Sequence, residues 1–117
     1  MTHKRQNFEI HSGDKKTLEL TITDSDDVIL DITGNEIRMK VAPNAYESVV
    51  VTKSSTMTTA HVELVNSTAG RVDIVFQSTD TQSLEGVFYY EVELTDGSAS
   101  EFTVLDGYLT IHRDLIT

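Results

Sequence analysis

Cysteine is missing from this 117-residue chain, which excludes disulfides, thiolate zinc sites and thiol nucleophiles together. Basic residues are scarce: nine Lys and Arg stand against nineteen Asp and Glu, for a net charge of −10. So negative a chain repels polyanions, and its Lys and Arg pair up only at Lys4-Arg5 and Lys15-Lys16, so no nucleic-acid partner is expected. Long apolar runs are missing as well. No stretch approaches the roughly 18 apolar residues of a membrane-spanning helix, and no membrane partner is expected. The opening MTHKRQNFEI has a basic start with no apolar segment behind it, unlike a secretory signal, so synthesis in a cytoplasm is expected. There is no proline-rich or glycine/serine-rich linker and no internal repeat. The length therefore predicts one domain with one core.

What the chain does have is alternation of apolar and polar residues. The clearest case is GVFYYEVELTDG, Gly86 to Gly97. Side chains alternate across a strand with period two, so Phe88, Tyr90, Val92 and Leu94 fall on one face and Val87, Tyr89, Glu91, Glu93 and Thr95 on the other. Asp96-Gly97 closes it, a dipeptide that accepts the positive φ of a tight turn. The segment TLELTIT predicts a strand with Leu18, Leu20 and Ile22 inward, and EIRMKVA one with Ile37, Met39 and Val41 inward. Pro43, the single proline, stops the latter, because it cannot donate to a ladder.

Further strands are predicted at Phe8–Ile10, at Ser48–Lys53 as an edge, at Val62–Val65, at Arg71–Phe76 and from Phe102 to Ile111. The last is expected to bend where Asp106-Gly107 interrupts it. Between Phe76 and Gly86, Thr79 followed by Gln82 resembles a capping pair and predicts one short helical turn. About eight short strands at roughly ten-residue spacing, with almost no helix, predict an all-β antiparallel β-sandwich. The expected divisions are a flexible N-terminal arm over 1–7, the sandwich over 8–112 and a C-terminal tail over 113–117.

Several groupings of residues bear on chemistry. Asp24, Asp26, Asp27 and Asp31 gather oxygen ligands of the kind calcium takes, but lack the glycine and the glutamate at the sixth and twelfth positions of a calcium loop. A hairpin turn is the preferred reading of this stretch. Glu91 and Glu93 share a strand face, as a carboxylate pair for glycoside hydrolysis must share a site. A solvated face is the preferred reading there. His3, His11, His61 and His112 show no metal-ligand spacing, and no G-x-S-x-G nucleophile turn occurs. Tyr89 and Tyr90 resemble the tyrosine corner of immunoglobulin-like (Ig-like) sandwiches, with core packing as the alternative for Tyr90. No catalytic residue and no cofactor are expected.

Four segments, in order, resemble the N-terminal domain of phage upper baseplate proteins of the BppU type: GDKKTLELTITDSDD, the DITG of Asp31 to Gly34 leading into IRMKV, DTQSLEGVFYYEVELTDG, and FTVLDGYLTI. The resemblance covers nearly the whole chain from Phe8 on. It implies an Ig-like β-sandwich with a non-enzymatic, structural role in a phage tail or baseplate. On that footing the partners are other tail proteins, the oligomer is a homo-oligomer around the tail axis, and the location is the virion. Contact candidates are the polar N-terminal arm, Ser48, Val50 and Lys53 on the edge strand and Leu115 and Ile116 in the tail, because free edges and termini add readily to neighbours. A carbohydrate- or calcium-binding Ig-like adhesion module is the alternative.

Overall fold

The computed structural model describes residues 4–24, 26–44, 48–55, 62–82, 84–98 and 100–113. In chain order the strands are β1 (Lys4–Arg5), β2 (Phe8–His11), β3 (Lys16–Thr21), β4 (Glu36–Ala42), β5 (Val51–Ser54), β6 (Val62–Asn66), β7 (Arg71–Phe76), β8 (Gly86–Thr95) and β9 (Glu101–His112). A 3₁₀ turn, Ser67–Ala69, follows β6, and the short helix α1, Ser78–Thr81, follows β7. The strands form a six-stranded sheet ordered β1-β9-β8-β4-β5, with β2 also on β9, and a three-stranded sheet ordered β3-β7-β6. The smaller sheet has the B-E-D order of an Ig-like sandwich and the larger one its G-F-C-C′ order. The fold is thus an all-β sandwich of Ig-like arrangement.

Alternation dictates which residues face between the sheets. Along β8 burial switches at every residue from Val87 to Thr95, with Phe88, Tyr90, Val92 and Leu94 inside. Ile37, Met39 and Val41 of β4 and Leu18 and Leu20 of β3 join them, together with Ile22, as the spacing predicts. From the opposing sheet β7 contributes Val72, Ile74 and Phe76. At roughly 1.5–3 kcal/mol for each large apolar side chain buried, this cluster is the main stabilising term of the fold. Among the described residues, no helix is long and apolar enough to cross a membrane.

Three features differ from the sequence expectation. Residues 4–7, expected in a loose arm, are bound: β1 and β2 run parallel to β9 in the registers Lys4↔Leu105 and Phe8↔Leu109. The Gln6 N–H donates to the Asp106 carbonyl at 2.9 Å. Secondly, Asp106-Gly107 does not interrupt β9, which runs unbroken for 12 residues. Gly107 has φ +156°, and a Cβ there would lie 2.0 Å from the Gln6 carbonyl oxygen, so only glycine lets the N-terminal strand approach so closely. The irregularity falls instead at Val104: Val92 pairs with Leu105 and Glu93 with Thr103, so Val104 is an extra residue, and it and Leu105 are both buried. Thirdly, α1 is capped two residues earlier than predicted. Gln77 precedes the helix, and its backbone N–H donates to Asp80 Oδ2 at 2.7 Å. Thr81 fixes α1 to the β2–β3 turn, its carbonyl accepting from Ser12 Oγ at 2.7 Å and its hydroxyl from Gly13 N–H at 3.0 Å.

Candidate docking surface

β5 ends the larger sheet. Its ladder with β4 runs from Arg38↔Ser54 to Val41↔Val51, and no described strand pairs with its other side. The chain enters β5 through Ser48, Val49 and Val50, all exposed, and the two valines keep 47% and 44% of their surface in contact with solvent. Val50 is held in line by its N–H, which donates to the Val41 carbonyl at 2.7 Å. Two expected contact residues, Ser48 and Val50, therefore lie on an accessible edge. Lys53 does not: it is only 2% exposed. Its ammonium pairs with Asp80 of α1 and stands 5.4 Å from the Phe76 ring centre. An inward position on the edge strand holds this lysine inside the fold, which removes it from the contact candidates. Leu115 and Ile116 lie outside the described residues, as do His3 and His61.

The outer face of the larger sheet carries a row of charged and phenolic groups. Cross-strand register sets Glu91 opposite Asp106 and Tyr89 opposite Tyr108. Two carboxylates so placed repel unless something lies between them. The Tyr89 hydroxyl does, 2.8 Å from Glu91 Oε1 and 3.2 Å from Asp106 Oδ2. Arg5 Nε donates to Asp106 Oδ1 at 3.3 Å, which explains how a carboxylate in a residue only 3% exposed is tolerated on this face. Glu93 Oε1 lies 3.4 Å from Lys40 Nζ. Glu91 and Glu93 are thus each engaged by a neighbour, the arrangement of a structural strand face.

Burial, and then the bond to Glu91, raise the Tyr89 phenol above its ordinary value of 10.0; burial, and then the Asp106 charge, raise Tyr90 in the same direction. The Tyr90 hydroxyl donates to the Gln6 carbonyl, far from the β7–β8 connection, so it joins the N-terminal strand to β8 and is not a tyrosine corner. Both phenols stay protonated in the fold at a pH where the unfolded chain has begun to lose those protons. Their stabilising contribution is therefore complete below pH 10.0 and declines as pH rises beyond it. Thermal melts from about pH 9 to 11 are expected to show stability falling by at most about 1.4 kcal/mol per pH unit per phenol. Tyr90→Phe is expected to have the shallower decline, and an unchanged slope would assign the effect to other groups.

The acidic stretch is a turn. Asp24 Oδ1 accepts the N–H groups of Asp26 and Val28 at 2.8 and 3.0 Å. Asp31 Oδ1 accepts from the Thr33 hydroxyl at 2.6 Å and from its N–H at 3.0 Å, bonds that hold the Asp31 carboxyl below its ordinary range. Asp27 adopts φ +62°, the left-handed conformation that Asp accepts in turns. Of the apolar run that follows, Ile32 enters the core while Val28 and Ile29 stay exposed. His11 and His112 are cross-strand neighbours with ring centres 5.4 Å apart. Among the described residues no group of three or more His, Cys, Asp or Glu is placed to hold a metal ion.

Fold and surface together define an Ig-like β-sandwich with an open, apolar-flanked edge on its larger sheet. Compared with known proteins, the chain matches no family model and no curated protein.

Proposed function

We propose that the chain is a non-enzymatic structural module of a phage tail or baseplate that docks to neighbouring tail proteins through the edge of its larger sheet. The observation that carries this reading is β5, which lacks a second strand neighbour among the described residues and is entered through the exposed Val49 and Val50. A free edge offers backbone donors and acceptors to an incoming strand, and the flanking valines add apolar area to the contact. The Ig-like strand order agrees with the fold that the baseplate resemblance implies, and repetition around the tail axis would make the contacts those of a symmetric oligomer.

The test is the composition of purified phage particles. The chain is expected there in fixed ratio to the tail proteins, and Val50→Asp is expected to be lost from particles while its circular dichroism and melting temperature match the parent's. Particles that lack the parent chain, or that take up Val50→Asp undiminished, overturn the proposal.

A further inference from the structure

Where β2, β3 and β9 meet, an open groove of about 610 Å³ is walled by Asn7, Glu9, Lys16, Tyr108 and Thr110, with Phe8 and Leu18 as its apolar members. Its volume lies within the roughly 300–1,000 Å³ usual for small-ligand sites. Tyr108 is 46% exposed, and its hydroxyl has no hydrogen-bond partner among the described residues. Asn7 is oriented by its own bond: Oδ1 accepts the Tyr108 N–H at 2.9 Å, which leaves the carboxamide NH₂ to donate elsewhere. Among the described residues the Lys16 ammonium has no carboxylate partner and the Thr110 hydroxyl no hydrogen bond. Glu9 makes one long contact, 3.6 Å from His112 Nε2.

These groups decide the chemistry of the occupant. Lys16 and Glu9 cancel in charge, and Arg5, beside the Tyr108 ring, is already paired with Asp106, so an anion meets a carboxylate in the groove and a cation meets an ammonium. Donors and acceptors stand together beside a half-exposed aromatic ring, whose centre lies 6.0 Å from the Arg5 guanidinium and 6.3 Å from the Tyr89 ring, leaving part of its face to solvent. The complement is a neutral molecule whose hydroxyls both donate and accept and whose C–H face can lie on a phenol ring. We infer that this groove binds a saccharide, with Tyr108 stacked on one sugar ring and Asn7, Lys16 and Glu9 bonded to its hydroxyls. The groove adjoins β9 and β2, at the end of the strand order away from β5, so saccharide binding and docking through β5 do not compete and stand or fall separately.

The experiment is a titration of the isotopically labelled full chain, followed by amide chemical shifts, with a panel of neutral glucan, galactan and N-acetylhexosamine oligomers. At least one member is expected to give saturable shifts centred on Asn7–Glu9, Lys16–Leu18 and Tyr108–Thr110 at concentrations up to about 10 mM. Tyr108→Ala is expected to weaken that binding about tenfold, whereas Tyr108→Phe, which keeps the ring, stays within about threefold of the parent. If Tyr108→Ala does not fold, Lys16→Ala, at an exposed position, is expected to weaken binding about fivefold. The inference is overturned if no sugar shifts these amides, if the shifts centre elsewhere, or if the variants bind as the parent does. A groove that responds only to inorganic phosphate or to an extended peptide overturns it equally.

Discussion

Gly107→Ala is expected to lower the unfolding free energy by about 3–4 kcal/mol and to release the N-terminal strand from β9. The added Cβ would stand 2.0 Å from the Gln6 carbonyl oxygen and 2.8 Å from its carbon, and these are backbone atoms that cannot rotate aside. Relief requires β1 and the following residues to move away. That motion breaks the Gln6 N–H bond to Asp106, the Tyr90 hydroxyl bond to Gln6 and the Tyr108 N–H bond to Asn7. Three bonds at about 1 kcal/mol each set the lower figure, and positive φ at a residue with a side chain adds strain. Urea unfolding gives the total, and amide exchange locates it: Gln6 and Tyr108 are expected to lose protection before Val92 in the centre of β8. A variant as stable as the parent, with Gln6 still protected, would show that β1 absorbs the added methyl without detaching.

Lys53→Ala is expected to cost about 3–5 kcal/mol, although Lys53 sits on an edge strand where lysine is ordinarily solvated. Its stem is enclosed, its ammonium pairs with Asp80, and that carboxylate also receives the Gln77 N–H that caps α1. Truncation removes the packing and leaves Asp80 without its cation. Lys53→Met keeps most of the volume, and Asp80 retains both the Gln77 bond and some access to water, so a loss of about 1–2 kcal/mol is expected. A double-mutant cycle with Asp80→Asn, read by urea unfolding, separates the pair from the packing. Equal losses for Ala and Met would assign the whole effect to the charge, and negligible losses for both would mean that Lys53 is solvated in solution.

The strand faces were legible because burial there follows local alternation. β8 lies between β9 and β4 with one side against the core, so period two in sequence becomes period two in burial. Lys53 was not legible. A lysine in SVVVTK reads as an outward position, and its partner is 27 residues away in α1. Asp106-Gly107 reads as a bend in the last strand for the same reason: the groups that hold it in the sheet, Arg5 and Gln6, lie about a hundred residues earlier in the chain. The extra residue at Val104 was hidden because Val and Leu are apolar in either register. Of the docking edge, Ser48 and Val50 were visible from composition. The groove was not, since Tyr108 follows the dipeptide expected to bend the strand and Asn7 and Glu9 fall at the margin of the expected arm.

The parallel course of β1 and β2 along β9 also determines how the domain bears tension. A load on the chain ahead of Lys4 and beyond His112 pulls β1 and β2 past β9 along their length, in opposite senses. Six residue pairs, Lys4↔Leu105 and Arg5↔Asp106 of β1 with Phe8↔Leu109 through His11↔His112 of β2, then resist together in shear instead of parting one at a time like a zipper.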